Sequence, residues 1–208
     1  MNLTNVIVVI LAYLIGSFPA AWILGKIFAG KDYDIRKHGS GNVGATNVIR
    51  NLGWKAGIST FLLDAFKGFA VAFWLPALMT EGIEFETARV VLAAVALIGH
   101  TFPIYINFRG GKAVATTAGV IFAFRRPEVG LICIAVFAIA VLISRQSGVG
   151  SISASLAFPI TTLIMRFAFD VVISPQMLWF SIALPFYIVF THRENLAKIF
   201  RGENKKDF

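Results

Sequence analysis

Apolar residues gather in seven runs, at positions 3–25, 56–79, 88–107, 113–124, 129–144, 152–169 and 176–191. A helix rises 1.5 Å per residue, so about 20 apolar residues cross the hydrocarbon core of a bilayer. The pattern predicts an all-α integral membrane protein, a helical bundle of about seven transmembrane helices. The run at 113–124 is short for a crossing. If it re-enters together with the run at 129–144, five crossings remain.

The connections set an orientation. Lys26, Lys31, Arg36, Lys37, Arg50, Lys55, Arg109, Lys112, Arg145, Arg193, Lys198, Arg201, Lys205 and Lys206 fall on one side when every run crosses; Arg89, Arg125, Arg126 and Arg166 fall on the other, with Glu81, Glu84 and Glu86. Positive charge concentrates on the cytoplasmic side, so the N-terminus is expected outside and the C-terminus in the cytoplasm. The first run resembles a signal peptide in carrying small residues at Gly16-Ser17 and Ala20-Ala21. Met1 to Asn5 hold no positive side chain and Lys26 follows the apolar stretch, so an uncleaved first helix is expected.

Composition agrees. With 57% hydrophobic and 14% charged residues the chain has too little polar surface to coat a water-soluble globule. No repeat or low-complexity linker divides it, and residues 1–208 read as one transmembrane domain. Cys133 is the single cysteine, which leaves no disulfide within the chain and no cysteine cluster for a metal. The net charge of +8 lies between apolar runs, away from any soluble domain, so anionic lipid heads and phosphorylated small molecules fit it better than nucleic acid.

Three polar patches hold most of the chemistry, and the topology above puts them on one face. The first, His38 to Asn47 with Arg50, contains Gly39-x-Gly41-x-x-Gly44. These letters match a dinucleotide fingerprint without its strand and βαβ context. Glycines still allow backbone N–H groups close to an anion, and Ser40, Asn42, Thr46 and Asn47 add hydrogen-bonding side chains. The second is Phe108-Arg109-Gly110-Gly111-Lys112, where Ala113 replaces the hydroxyl residue of a nucleotide P-loop. Lys112 would stand at the mouth of the next helix, whose N-terminus favours a phosphate. The third, Thr191 to Asn195, puts His192 and Asn195 on a common face if the helix continues, with Glu194 pairing locally with Arg193. Within the second run Asp64 and Lys67 share a face at i,i+3 spacing, and pairing reduces the cost of burying either charge. His100 follows Gly99 near the end of the third run. Three scattered histidines make a poor metal site, and neither metal nor cofactor is expected.

Gly39-Ser40-Gly41-Asn42-x-Gly44-Ala45-Thr46-Asn47 with Arg50, Gly99-His100 leading to Phe108-Arg109-Gly110-Gly111-Lys112-Ala113-Val114-Ala115, and His192-Arg193-Glu194-Asn195 together resemble the motifs of the PlsY family. These are bacterial membrane glycerol-3-phosphate acyltransferases that use acyl phosphate. The resemblance runs from about Gly16 to Lys206. Arg109 stands where many relatives carry lysine, with charge kept.

The resemblance implies transfer of a fatty acyl group from acyl phosphate to the sn-1 hydroxyl of glycerol 3-phosphate at the cytoplasmic face of the inner membrane. Lysophosphatidic acid and phosphate would be the products. It implies that Gly110, Gly111 and Lys112 hold glycerol 3-phosphate, that Ser40, Arg50 and the first patch handle phosphate and the developing oxyanion, and that His192 and Asn195 orient substrates. His192 and a substrate phosphate oxygen both remain candidates for the general base. The connection Gln146 to Ser153, read as a loop, offers Ser153 as a further donor. Acyl phosphate is a mixed anhydride with a good leaving group, so positioning and charge neutralisation suffice without a covalent intermediate. No obligate protein partner is indicated.

The residues five positions after His38, His100 and His192 are Val43, Tyr105 and Ala197, which excludes a His-x4-Asp acyltransferase. A membrane transporter of organic phosphates is the alternative of a different class. It calls for polar residues along a path through both halves of the membrane.

Overall fold

The computed structural model describes residues 2–80 and 82–201, and among these all regular elements are helical. They cluster into two compact units, Met1–Ala123 and Phe124–Phe208.

In the first unit the leading apolar run folds as α1 (Leu3–Ser17) and α2 (Ala20–Ala29), not as one straight helix. Pro19 has no N–H to continue the ladder and disfavours helical backbone at the residue before it; Phe18 accordingly turns out to φ −53°, ψ 115°. The break lies inside an apolar span. There the Lys67 ammonium donates to the Phe18 carbonyl at 2.8 Å, supplying a donor where lipid offers none.

The next helix, α3 (Ala45–Trp74), starts well before the apolar run at 56 and kinks at Gly53, whose φ is 83°. α4 (Phe85–Thr101) and the ten-residue α5 (Val114–Ala123) complete the unit. Glycines set its close crossings. Gly16 on α1 lies against the Ala96 carbonyl of α4, and Gly99 on α4 lies against backbone of Tyr13 and Ser17. Gly68 of α3 meets the Thr116 carbonyl of α5, while Gly119 of α5 meets that of Ala65. A Cβ at any of the four would overlap backbone. Lipid tails give helices no hydrophobic reason to associate, so close approach through small residues carries the packing.

The second unit holds α6 (Pro127–Ser144), α7 (Ser147–Ala168), α8 (Pro175–Thr191) and the short α9 (Arg193–Phe200). Gly150 brings α7 onto the Phe137 carbonyl of α6. Thr162 and Ser181 share a hydrogen bond of 3.0 Å between α7 and α8, beside fully buried Phe158 set edge-on to Phe180. Leu142, Ile143, Trp179 and Phe186 point outward with 70% or more of their surface exposed, as lipid-facing residues do.

Each of the seven apolar runs contains helix. Among the described residues five stretches are long and apolar enough to cross a membrane: Leu3–Ala29, Ala45–Leu78, Phe85–Ile106, Pro127–Ser144 and Ser147–Ala168. At 1.5 Å per residue the 10 residues of α5 reach about 15 Å and the 17 of α8 about 25 Å, against a core of about 30 Å. One boundary corrects the sequence reading. Gln146 to Ser153 is not a loop, because α7 begins at Ser147 and carries Ser153 within its second turn. The Ser/Gly content that suggested a loop instead gives the helix small packing faces.

Candidate active site

The first patch is organised by one amide. Asn47, in the opening turn of α3 and 1% exposed, donates through Nδ2 to the carbonyls of His38 and Asn42, both at 3.0 Å. Its Oδ1 accepts the Ser40 N–H at 3.0 Å and Asn51 Nδ2 at 3.1 Å. Asn47, expected among the substrate-binding residues, is therefore a scaffold of the loop. The glycines follow from this packing. Gly39 and Gly41 adopt φ of +57° and +71°, and a Cβ on Gly39 would overlap the amides of Asn47 and Asn51. The Gly41 N–H bonds the His38 carbonyl at 3.0 Å, so the Ser40 and Gly41 donors are already used within the loop. What faces outward is the exposed Ser40 hydroxyl and the start of α3. Its N-cap Gly44 provides no side-chain hydrogen bond to the first turn, where Thr46 sits. Arg50 lies exposed one turn further on.

A short helical turn, Ile35–Lys37, leads into the patch. Asp34 caps it, accepting Arg36 N at 3.0 Å and the Arg36 guanidinium at 2.9 and 2.7 Å. Hydrogen bonding from Arg36 holds the Asp34 carboxyl below the usual carboxylate range. The same guanidinium donates to the Ile106 carbonyl at 2.9 Å, tying the turn that leads into the first patch to the segment just before the second.

The second patch lies along the end of α4. The Gly110 and Gly111 N–H groups bond the Thr101 and His100 carbonyls at 3.1 and 3.2 Å. A Cβ on Gly111 would overlap the Val43 carbonyl and reach the Nε2 edge of His100, so the double glycine is required by contact with both α4 and the first patch. Lys112 follows, half-buried, two residues ahead of α5. Beside this junction opens a cleft of about 590 Å³ lined by Asp34, Arg36, Lys37, Gly41, Asn107, Arg109 and Gly110. Of these residues only Gly41 and Gly110 were expected to bind substrate. The Asp34-x-Arg36 pairing was visible in the sequence as opposite charges two apart.

Beneath the junction the expected Asp64–Lys67 pair forms at 2.7 Å, both side chains buried. His100 joins it: Nδ1 stands 3.5 Å from Asp64 Oδ1 and 3.0 Å from Thr116 Oγ1.

In the second unit His192 is 2% exposed and its Nδ1 lies 2.8 Å from the Ile188 carbonyl. A carbonyl only accepts, so Nδ1 carries the proton, and in the neutral ring Nε2 is the acceptor nitrogen. Helical backbone breaks at His192 (φ −101°, ψ 7°), which ends α8 and caps α9. The continuous helix that would put His192 and Asn195 on one face is thus interrupted. Gly148, at the start of α7, leaves room for the Asn195 amide, 3.1 Å from where a Cβ would stand. The expected Arg193–Glu194 pair gives way to another arrangement. Arg193 stacks over the Phe190 ring at 4.7 Å and donates to the Phe190 carbonyl at 3.1 Å, while Glu194 sits exposed in the first turn of α9, favourable to that helix's dipole.

Residues 6–202 match the family model described as glycerol-3-phosphate acyltransferase. Curated relatives of that description include one from Staphylococcus saprophyticus, 41% identical over 97% of this chain and 96% of its own length, and one from Staphylococcus aureus, 40% identical over the same shares. Among solved structures, the glycerol 3-phosphate form of PlsY (YgiH), an integral membrane glycerol 3-phosphate acyltransferase, aligns with a TM-score of 0.83 at 33% identity, covering 97% of this chain and 94% of that one. Its lysphosphatidic acid form aligns at 0.81. With glycine-rich basic patches joined at the end of apolar helices and matches across nearly its whole length, the chain belongs to the glycerol-3-phosphate acyltransferase family and is a membrane acyltransferase.

Proposed function

We propose that the chain transfers a fatty acyl group from acyl phosphate to the sn-1 hydroxyl of glycerol 3-phosphate, giving lysophosphatidic acid and inorganic phosphate. The observation that carries this reading is the joining of the two glycine-rich patches: Gly111 against Val43 and His100, Arg36 tied to Ile106, and a basic cleft beside them. The solved relatives, described as a glycerol 3-phosphate form and a lysphosphatidic acid form, support the acceptor and the product.

In the proposed reaction the acceptor hydroxyl oxygen attacks the acyl carbonyl carbon, the bond from that carbon to the phosphate oxygen breaks, and phosphate leaves. Lys112, presented by the Gly110-Gly111 turn, holds the acceptor's phosphate, with Arg109 at the cleft. Ser40, Thr46, Arg50 and the start of α3 neutralise charge on the donor and on the oxyanion, with Asn42, Gly39, Gly41 and Gly44 shaping the loop. His192 and Asn195 orient the substrates, and Ser153 adds a donor from α7. The hydroxyl proton goes to His192 Nε2 or to a substrate phosphate oxygen; a pH–rate profile that loses its imidazole limb in His192→Gln identifies the former.

A coenzyme A thioester brings an adenine and extra phosphates that need a platform, and a carrier protein needs a broad docking face. Acyl phosphate asks only for a phosphate cradle next to a greasy groove. The proposal therefore includes no cofactor, no metal and no obligate protein partner. Residues 1–208 act as one domain in the inner membrane, with the N-terminus outside and the C-terminus and active site toward the cytoplasm. The test is a donor panel with purified chain in lipid and labelled glycerol 3-phosphate. Product with acyl phosphate alone, unchanged by chelator, is expected; equal rates with acyl-CoA or acyl carrier protein would overturn it.

A further inference from the structure

A buried charged cluster touches the acceptor loop. Asp64 and Lys67 are 2% and 5% exposed, and His100 is 6% exposed. The pair could be self-sufficient at 2.7 Å, yet it is built into three other elements. Lys67 donates to Phe18 at the α1–α2 break, and Asp64 faces His100 on α4, which also contacts Thr116 on α5. A small cavity of about 10 Å³ adjoins them, lined by Ser17, Asp64, Lys67, His100 and Gly110 among others. That is about the room one water needs. The buried Ser17 hydroxyl, without a hydrogen-bond partner among the described residues, would supply it with one contact.

His100 is where this cluster meets the proposed substrate loop. Its carbonyl accepts the Gly111 N–H, its Nε2 edge abuts the position a Gly111 Cβ would take, and its Nδ1 is held from the opposite side by Thr116 and Asp64. A change in ring position moves Gly111 directly, and Lys112 is the next residue. An ion pair that served folding alone would need no such contact, and a buried pair is weak as a source of stability.

We propose that Asp64 and His100 are positioning residues for glycerol 3-phosphate: Asp64 fixes the His100 ring, and the ring and carbonyl of His100 fix the Gly110-Gly111 loop from which Lys112 meets the substrate phosphate. The inference rests on the reading of Lys112 as a phosphate ligand. Displacement of about 1 Å at a binding group costs on the order of 100-fold, so His100→Gln raises the KM for glycerol 3-phosphate by about 10- to 100-fold and leaves the KM for acyl phosphate unmoved.

Because Asp64→Asn alone strands a buried ammonium and risks misfolding, the companion variant is D64N/K67M, which removes both charges. It is expected to stay monodisperse and to show the same selective rise. The deciding measurement is a double-mutant cycle. If His100 acts through Lys112, H100Q/K112M has the glycerol 3-phosphate KM of Lys112→Met alone. Multiplying effects, or His100→Gln lowering kcat with both KM values intact, overturns the proposal. Lys112→Met with an unchanged KM for glycerol 3-phosphate overturns instead the reading beneath it.

Discussion

Asn47→Ala separates a scaffold from a substrate contact. The change removes the Ser40 N–H acceptor and the donor to the His38 and Asn42 carbonyls, three bonds of 3.0 Å each. At about 0.5–1.5 kcal/mol net per hydrogen bond the loop loses about 1.5–4.5 kcal/mol against opening. If catalysis needs the closed loop, kcat/KM falls by about 10- to 1000-fold, since each 1.4 kcal/mol is tenfold. Asn47→Asp keeps the acceptor oxygen but turns a second carboxylate oxygen toward two carbonyls, so it is expected to be no milder. The assay has two parts: steady-state kinetics in lipid, and amide hydrogen exchange at Ser40 without substrate. The variants should speed exchange at Ser40 while α1 and α4 keep their protection. Wild-type exchange at Ser40, or kinetics within threefold of wild type, would refute the scaffold role.

Four further outcomes follow from the site. Lys112→Met should raise the KM for glycerol 3-phosphate by about 10- to 150-fold, the value of a charged hydrogen bond of about 1.5–3 kcal/mol, which steady-state kinetics will read. Arg50→Ala and Ser40→Ala should instead depress kcat, by about 100-fold if they support charge in the transition state; unchanged turnover removes them from the mechanism. The depressed Asp34 carboxyl contributes loop stability that is complete above its ordinary value of 3.8 and is lost only as pH falls through its lower folded value. Loop exchange corrected for intrinsic rates should therefore be flat from about pH 5 to 8 in the wild type, and faster throughout in Asp34→Asn. Cysteines at exposed Lys37, Arg109 and Arg193 in a Cys133→Ala background should label from the cytoplasmic side, and one at exposed Glu84 from outside; mixed labelling of the first three contradicts the orientation.

The spans were legible because hydropathy alone sets where a chain can meet lipid. Their ends were less so. The polar opening of α3 carries no apolar run, and Pro19 hides inside one, so the kink at Gly53 and the break at Phe18 became visible only with the backbone. The small residues of Gln146 to Ser153 read equally as a loop or as a packing face, and contact of Gly148 and Gly150 with neighbours made them helix. Asp64 and Lys67 were legible from i,i+3 spacing, whereas His100 and Thr116 join them from distant helices through tertiary packing. The same limit explains Asn47. Sequence spacing suggested donors for an anion, and the fold spends that amide on its own loop.

The most direct test of the account is phosphorus NMR of purified chain in lipid, given acyl phosphate and glycerol 3-phosphate. The acyl phosphate and glycerol 3-phosphate signals should fall together while inorganic phosphate and lysophosphatidic acid rise in equal amounts, with no product when acyl-CoA is the donor. Phosphate release without lysophosphatidic acid, or acylation that proceeds equally from acyl-CoA, would contradict it.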